Sequence, residues 1–116
     1  MARLAFYDDK RFKTAVLNGE QHKLYYIGTL AKRINRTVDT VRNWEHDGII
    51  PKSGFKDKVG RRLYTREQIE AIHHWVKRDR VERGRCMSYT NFSVHCHRHF
   101  EELHNKYFGG NSNGKI

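Results

Sequence analysis

Membrane-spanning, secreted and disulfide-stabilised proteins depend on sequence features that are scarce in this chain. It contains one proline and two cysteines among 116 residues. No stretch approaches the roughly 18 uncharged apolar residues that a membrane-spanning helix requires. The first eleven residues carry charges where a signal peptide would need an apolar run. Two cysteines are too few for a disulfide scaffold, so we predict a cytoplasmic protein held together by its interior.

Acidic residues are also scarce relative to basic ones. The chain has 13 Asp and Glu against 23 Lys and Arg, which gives a net charge of +10. A small body with such a surplus attracts polyanions and releases their counterions on contact. Nucleic acid is therefore the favoured partner, although a high charge can also serve solubility alone. Residues 25–84 carry fourteen basic and eight acidic side chains, more than half of the surplus, and we predict the functional module there.

Two short helices separated by a tight turn are predicted at the start of this module. The first helix has an apolar stripe at spacings of three and four residues, formed by Ile27, Leu30, Ala31 and Ile34. Thr37 is placed to cap a second helix that begins at Val38, and Gly48 is placed to end it. This order of elements indicates a helix-turn-helix arrangement.

The outward face of the second helix is polar along its whole length. Residues capable of hydrogen bonding recur there at the helical spacings i, i+3, i+4 and i+7, namely Asp39, Arg42, Asn43 and His46. In helix-turn-helix proteins the second helix lies in the major groove of DNA. We therefore interpret this face as a DNA-reading surface rather than as an ordinary solvated one.

A β-hairpin and a third helix are predicted to follow. Residues 52–64 include two glycines and show no helical period, which favours a hairpin with arms near 53–55 and 61–64 and a basic loop at 56–59. Thr65 and Gln68 then fit a capping box. The helix that they begin should run to about Gly84.

This succession of elements resembles the winged helix-turn-helix of the MerR type, which phage excisionases and some small terminase subunits share in looser form. The resemblance covers residues 26–76, less than half of the chain. The segments that carry it are Tyr26-Ile27-Gly28 with Leu30-Ala31, the stretch 37–45, Gly48-Ile49-Ile50-Pro51, Gly60-Arg61-Arg62-Leu63-Tyr64, and Thr65-Arg66-Glu67-Gln68-Ile69.

The resemblance implies that Thr40 and Arg42 meet DNA in the major groove, while Arg62 and Tyr64 of the wing contact the flanking backbone or the minor groove. Asp39 and Asn43 depart from the usual pattern of the family. Asp39 could accept from a cytosine amino group or hold an arginine in position, and we favour the second role; Asn43 is the better candidate for reading adenine. The predicted DNA-binding residues are Thr37, Asp39, Thr40, Arg42, Asn43, His46, Lys56, Lys58, Arg61, Arg62 and Tyr64.

A fourth helix of about 18 residues is predicted near the C-terminus. Its apolar stripe consists of Tyr89, Phe92, Cys96, Phe100, Leu103 and Tyr107. The stripe could fold back on its own domain or pair with a second copy, as the C-terminal helices of MerR-like regulators do in antiparallel dimers. We favour a homodimer, which would predict an inverted-repeat DNA site.

The same helix contains a run of potential zinc ligands. His95, His97 and His99 flank Cys96, and Cys86 and His104 lie nearby. The spacing between the two cysteines is not standard for zinc, and Cys96 also belongs to the apolar stripe. We therefore predict no metal and no cofactor. A Cys/His hydrolase is disfavoured because no acid orients a base at a recognisable spacing, and Trp44 and Trp75 are interpreted as core residues.

These features together predict a mainly α fold with a small β-hairpin wing, a winged helix-turn-helix plus a C-terminal amphipathic helix. We expect an N-terminal arm at residues 1–24, the winged domain at 25–84, a helix for packing or dimerisation at 85–108 and a disordered tail at 109–116. The predicted function is non-enzymatic, sequence-specific binding of double-stranded DNA by a nucleoid-associated transcription regulator of phage or bacterial type, with no small-molecule effector evident. The alternatives are a phage-type excisionase or small terminase-like protein, and an RNA or protein adaptor.

Overall fold

The computed structural model describes residues 12–78 and 91–108. These ranges form four helices and four strands. In chain order they are β1 Phe12–Leu17, β2 Glu20–Tyr26, α1 Ile27–Ile34, α2 Val38–His46, β3 Phe55–Lys56, β4 Arg62–Thr65, α3 Arg66–Arg78 and α4 Asn91–Phe108. The predicted extension of α3 to Gly84, Cys86, Tyr89 and the predicted tail lie outside the described residues.

The stretch before the helices is a β-hairpin, where the sequence analysis predicted only an arm. Strands β1 and β2 pair antiparallel, from Phe12 opposite Tyr25 to Leu17 opposite Glu20. Asn18 and Gly19 connect them with φ angles of 51° and 84°. Two consecutive positive φ angles are typical of a tight hairpin turn, for which Asn-Gly is a favoured pair. The β content is therefore larger than the predicted two-stranded wing.

This hairpin and the wing form one four-stranded sheet in the order β1-β2-β4-β3. Strand β2 joins the two parts, with Tyr25 opposite Tyr64 in β4 and Tyr26 opposite Leu63. Tyr25 and Tyr64 are 3% and 0% exposed and belong to the helical core. The wing is thus anchored through strand pairing to the segment that leads directly into α1.

The helix-turn-helix prediction is confirmed in its bounds and in its caps. Helix α1 buries Leu30, Ala31 and Ile34 of the predicted stripe, and Ile27 is partly buried against the same core. The helix is capped by Asn35, whose φ of 58° is left-handed. The Thr37 hydroxyl accepts a hydrogen bond of 3.1 Å from the backbone N–H of Thr40 at the start of α2. Gly48 adopts a φ of 77° just after α2 ends.

The predicted capping box at the start of α3 is also confirmed. The backbone N–H of Gln68 donates to the Thr65 hydroxyl at 3.0 Å, and the Gln68 side chain accepts from the Thr65 N–H at 2.9 Å. The Gln68 amide also donates to the Ser53 carbonyl at 2.9 Å. A fully buried glutamine therefore joins α3 to the loop that enters the wing.

Helix α4 folds back on its own chain. The stripe residues within it are 0–8% exposed, namely Phe92, Cys96, Phe100, Leu103 and Tyr107. The ring of Phe92 lies edge-on to Trp44 of α2, with centroids 5.3 Å apart. The stripe is therefore not exposed for pairing with a second copy, and homodimerisation remains a prediction.

An acidic residue of α3 holds the last turn of α4. Glu67 accepts hydrogen bonds from the Lys106 ammonium and, at 2.8 Å, from the Tyr107 hydroxyl. Partial burial by itself would raise the pKa of Glu67, but these hydrogen bonds outweigh it and hold the pKa below its ordinary value of 4.5. The Glu67 carboxylate therefore stabilises the folded state at pH values above the ordinary glutamate range and loses this effect as the pH falls through its lowered pKa.

We expect Glu67→Gln to lower the free energy of unfolding at neutral pH by less than about 1 kcal/mol, since this carboxylate is partly exposed and screened. The difference from wild type should shrink as the pH falls below the carboxyl range. Urea unfolding at neutral and acidic pH measures both quantities. A difference that stays constant with pH would contradict the ionic role of Glu67.

Candidate nucleic-acid interface

The outward face of α2 is solvent-exposed, as its spacing predicted. The side chains of Asp39, Arg42 and His46 are 88%, 66% and 88% exposed, and Asn43 is exposed beside them. The opposite face buries Val41, Trp44 and Glu45 in the protein interior. The predicted polar ridge is thus free to meet a partner along most of the helix.

Asp39 orients the central cation of this face. One of its carboxylate oxygens lies 3.6 Å from a terminal nitrogen of Arg42, one turn along α2. An exposed pair of this kind adds little stability, but it restricts the directions in which the guanidinium points. Arg36 instead donates to the backbone carbonyls of Ile34 and Asn35. Asp39 therefore holds Arg42, and this contact supports the positioning role over direct base contact.

The two threonines at the start of α2 contact each other. The Thr37 hydroxyl donates to the Thr40 hydroxyl at 3.0 Å while it accepts from the Thr40 backbone N–H. Both predicted contact residues therefore stand at a helix N-terminus, where the peptide dipoles favour a nearby anion such as a phosphate group.

The loop of the wing is organised by Asp57. Its carboxylate accepts from the backbone N–H groups of Val59 and Arg61 at 3.0 and 2.9 Å and from the Arg61 guanidinium at 2.8 Å. Burial on its own would raise the pKa of Asp57, but these bonds outweigh it and lower the pKa. Lys56 and Lys58 flank this ordered turn with exposed side chains. The loop is consequently pre-shaped to present its lysines.

Tyr64 is a correction to the predicted DNA-contacting set. Its side chain is 0% exposed, because the pairing with Tyr25 turns it into the helical core. Its hydroxyl lies 3.4 Å from Glu45, and burial raises its pKa. A fully enclosed side chain cannot touch DNA, so the contact implied for this position is wrong.

Arg62 connects the wing to α2. Its Nε lies 2.7 Å from each carboxylate oxygen of Glu45, and its side chain is 27% exposed. The positive charge of Arg62 is therefore largely offset within the protein. This pair fixes the position of the wing relative to α2, and a direct contact of Arg62 with DNA remains a prediction.

A groove of about 810 Å³ lies between α2, the start of α1 and the wing. Its lining is strongly cationic, with the side chains of Lys32, Arg42, Lys52, Arg61 and Arg62, and the carboxylate that also lines it belongs to Glu45, already bonded to Arg62. Lys32 and Lys52 were missed in the sequence analysis. Lys32 could have been predicted as an exposed cation, because it lies opposite the apolar stripe of α1. No local sequence pattern indicates the position of Lys52, which follows Pro51.

The comparison with protein families identifies this part of the chain. Residues 25–79 match the model of the MerR HTH family regulatory proteins. This segment is a MerR-like helix-turn-helix domain. The family is a non-enzymatic family of DNA-binding regulators. No curated protein and no solved structure matches the chain significantly.

The matched segment contains α1, α2, the wing and the described part of α3, whereas β1 and α4 lie outside it. The MerR-like domain therefore contains every residue of the predicted DNA-binding set. Within residues 12–78 and 91–108, no helix is both long enough and apolar enough to cross a bilayer.

The histidines of α4 attach this helix to the MerR-like domain. His95 stacks on Trp75 with ring centroids 4.1 Å apart, and His99 accepts a 3.1 Å hydrogen bond from the Trp75 indole. His97 donates to the carbonyl of Gly48, in the loop after α2, at 2.8 Å, and His104 donates to the carbonyl of Ser53, just before β3, at 3.0 Å. His95 and His99 thus share Trp75, whereas His97 and His104 bond two different backbone carbonyls. No three His, Cys, Asp or Glu residues are grouped to hold a metal ion in the described part of the chain.

Proposed function

We propose that this protein binds double-stranded DNA sequence-specifically as a transcription regulator. In this proposal α2 lies in the major groove and the wing lies along the neighbouring backbone. The observation that carries it is the exposed Arg42, held by Asp39 at the edge of the cationic groove inside a MerR-like domain.

The side chains divide into base-reading and phosphate-contacting groups. Arg42 offers a planar fork of donors that matches the O6 and N7 acceptors of guanine, and Asn43 can bond adenine on both its N6 and N7 positions. A lysine ammonium is a point charge that suits a phosphate group. The lysines around the groove and the wing are therefore expected to contact phosphates and not to determine which base sequence is bound. They are Lys32, Lys52, Lys56 and Lys58.

Arg42→Ala is expected to weaken binding to the preferred duplex by about 1–3 kcal/mol and to narrow its advantage over random DNA. Lys58→Ala serves as the matched control on the wing. It should weaken all duplexes evenly and lower the slope of log K against log salt by about one unit. Fluorescence anisotropy titrations at several salt concentrations separate the two patterns, and equal sequence-blind losses from both variants would show that α2 does not read bases.

Selection from a random duplex pool tests the function itself. We expect enrichment of one motif at moderate salt, and a symmetric motif would support the predicted homodimer. Competition between the enriched duplex and structured RNA distinguishes an RNA adaptor. A pool that shows no enrichment, or a chain that ignores duplexes at low ionic strength, would overturn the proposal.

A phage-type excisionase or small terminase-like role is the second candidate. It is favoured by the burial of the α4 stripe within its own chain, because that stripe is then not available for the helix pairing of a dimeric regulator. Mapping bound sites on the source genome discriminates the two. Sites upstream of genes favour regulation, whereas clustered sites at an attachment or packaging locus favour the second role.

A further inference from the structure

A second groove lies beside the first, between α4 and the loop that follows α2. It has a volume of about 490 Å³, and its lining includes Lys52 on the loop and Arg98 on α4. Lys52 lines the first groove as well. The two cationic grooves therefore meet at Lys52, and the second reaches α4, which the family match does not include.

The two cations of the second groove are available to a ligand. Lys52 and Arg98 are exposed, and neither makes a hydrogen bond or an ion pair with another residue in the described ranges 12–78 and 91–108. Glu101 is the one acidic residue in the lining. The groove consequently keeps a net positive charge even when its histidines are neutral, and an anion is the ligand class that it fits.

The position of Arg98 relative to α2 is fixed by contacts on both sides of it. His97, the residue before it, donates to the Gly48 carbonyl just after α2, and His104 donates to the Ser53 carbonyl two turns later. The loop approaches α4 closely, since a Cβ added at Gly54 would lie 3.0 Å from the His104 ring. Arg98 is thus held near the C-terminal end of α2 by a packed helix rather than by a loose segment.

We propose that α4 extends the DNA interface and that Arg98, together with Lys52, contacts a phosphate beside the base pairs met by α2. This inference rests on the proposed DNA-binding function. A duplex is favoured over an isolated anion or an acidic peptide because the second groove meets the groove assigned to DNA at Lys52 and because a backbone supplies evenly spaced phosphates. Arg98 then adds affinity without adding sequence preference.

The test compares full-length wild type, Arg98→Ala, Arg98→Lys and Lys77→Ala on the selected duplex. Lys77 is an exposed cation of α3 that lines neither groove, which makes Lys77→Ala the matched control for net charge. We expect Arg98→Ala to lower the slope of log K against log salt by about one unit. Between 50 and 200 mM salt the affinity of wild type should therefore fall by a factor about fourfold larger than that of Arg98→Ala. Its preference for the selected duplex over random DNA should be unchanged, and Arg98→Lys should keep most of the slope.

Duplexes trimmed base pair by base pair from each end locate the contact. The effect of Arg98→Ala should disappear when the flank on one side is removed, while binding of the motif persists. A salt slope for Arg98→Ala equal to that of Lys77→Ala would overturn the inference. If Arg42→Ala still loses sequence preference in that case, the proposed function stands and only the role of α4 fails; if wild type binds no duplex, both fail.

Discussion

Replacing Phe92 with alanine is expected to lower the free energy of unfolding by about 3–5 kcal/mol. The Phe92 side chain is 1% exposed, and its ring packs edge-on against Trp44 of α2. Truncation removes buried apolar area and leaves a cavity between α4 and α2 that a close-packed interior fills only in part. Phe92 is therefore a principal contact through which α4 stabilises the helix-turn-helix.

Urea unfolding followed by tryptophan fluorescence measures this effect, because Trp44 lies at the site of the substitution. Val94→Ala is the control on the same helix; Val94 is 53% exposed, and its truncation should change stability by less than about 0.5 kcal/mol. The unfolding midpoint should not depend on protein concentration if α4 packs within one chain. A midpoint that rises with concentration would mean that the stripe is shared between two copies.

The helices were predictable because the signals that define them are local. The Thr37 cap and the Thr65–Gln68 capping box each lie within one turn, and the structure contains both. The first hairpin also had a local signal in Asn18-Gly19, but its strands carry charged residues such as Lys13 and Lys23. The buried residues of these strands are Leu17, Leu24 and Tyr25, which form no alternating pattern. The stability of the two strands depends on pairing with β4, some forty residues away in sequence, which periodicity does not report.

For the candidate site, too, local signals predicted the helical residues, whereas long-range packing decided the strand residues. Helical spacing alone identified which residues of α2 face solvent. The error at Tyr64 arose because both faces of strand β4 are covered, so that Leu63, Tyr64 and Thr65 are all buried. One face meets the helical core. Helix α4 reaches the other face, where Tyr107 and Thr65 share a 2.7 Å hydrogen bond. Alternation along a wing strand predicts an exposed face only when one side of the sheet is open.

The same limit applies to α4. The spacing of its aromatic residues identified the stripe but not the surface that covers it, since an apolar face is satisfied equally well by its own domain or by a second copy. In the structure its own domain covers the stripe, and the histidines of α4 contact that domain. Their partners, such as Trp75 and the Gly48 carbonyl, lie on distant parts of the chain, so a ligand-like cluster in sequence becomes a set of separate attachments in space.

Glu45→Ala is expected to lower the free energy of unfolding by about 2–4 kcal/mol. The Glu45 side chain is 9% exposed and is the acceptor that both the Arg62 guanidinium and the Tyr64 hydroxyl face across the boundary between α2 and β4. Its removal leaves a partly buried cation and a buried hydroxyl without an acceptor. Glu45→Gln keeps the volume and one acceptor oxygen, so its loss should be smaller.

A double-mutant cycle with Arg62→Ala isolates the link between α2 and the wing. Each single variant leaves the other side chain without its ionic partner. We therefore expect the double variant to be more stable than the sum of the two single losses predicts, with a coupling energy of about 1–3 kcal/mol. Additive losses would show that the two side chains act independently. Glu45 also lines the cationic groove. Glu45→Gln removes the same negative charge as Glu45→Ala but keeps an acceptor for Arg62, so a loss of DNA preference confined to Glu45→Ala would come from a wing no longer held at a fixed angle to α2. Thr65→Ala, which removes a buried hydrogen bond to α4, controls for the general effect of lowered stability.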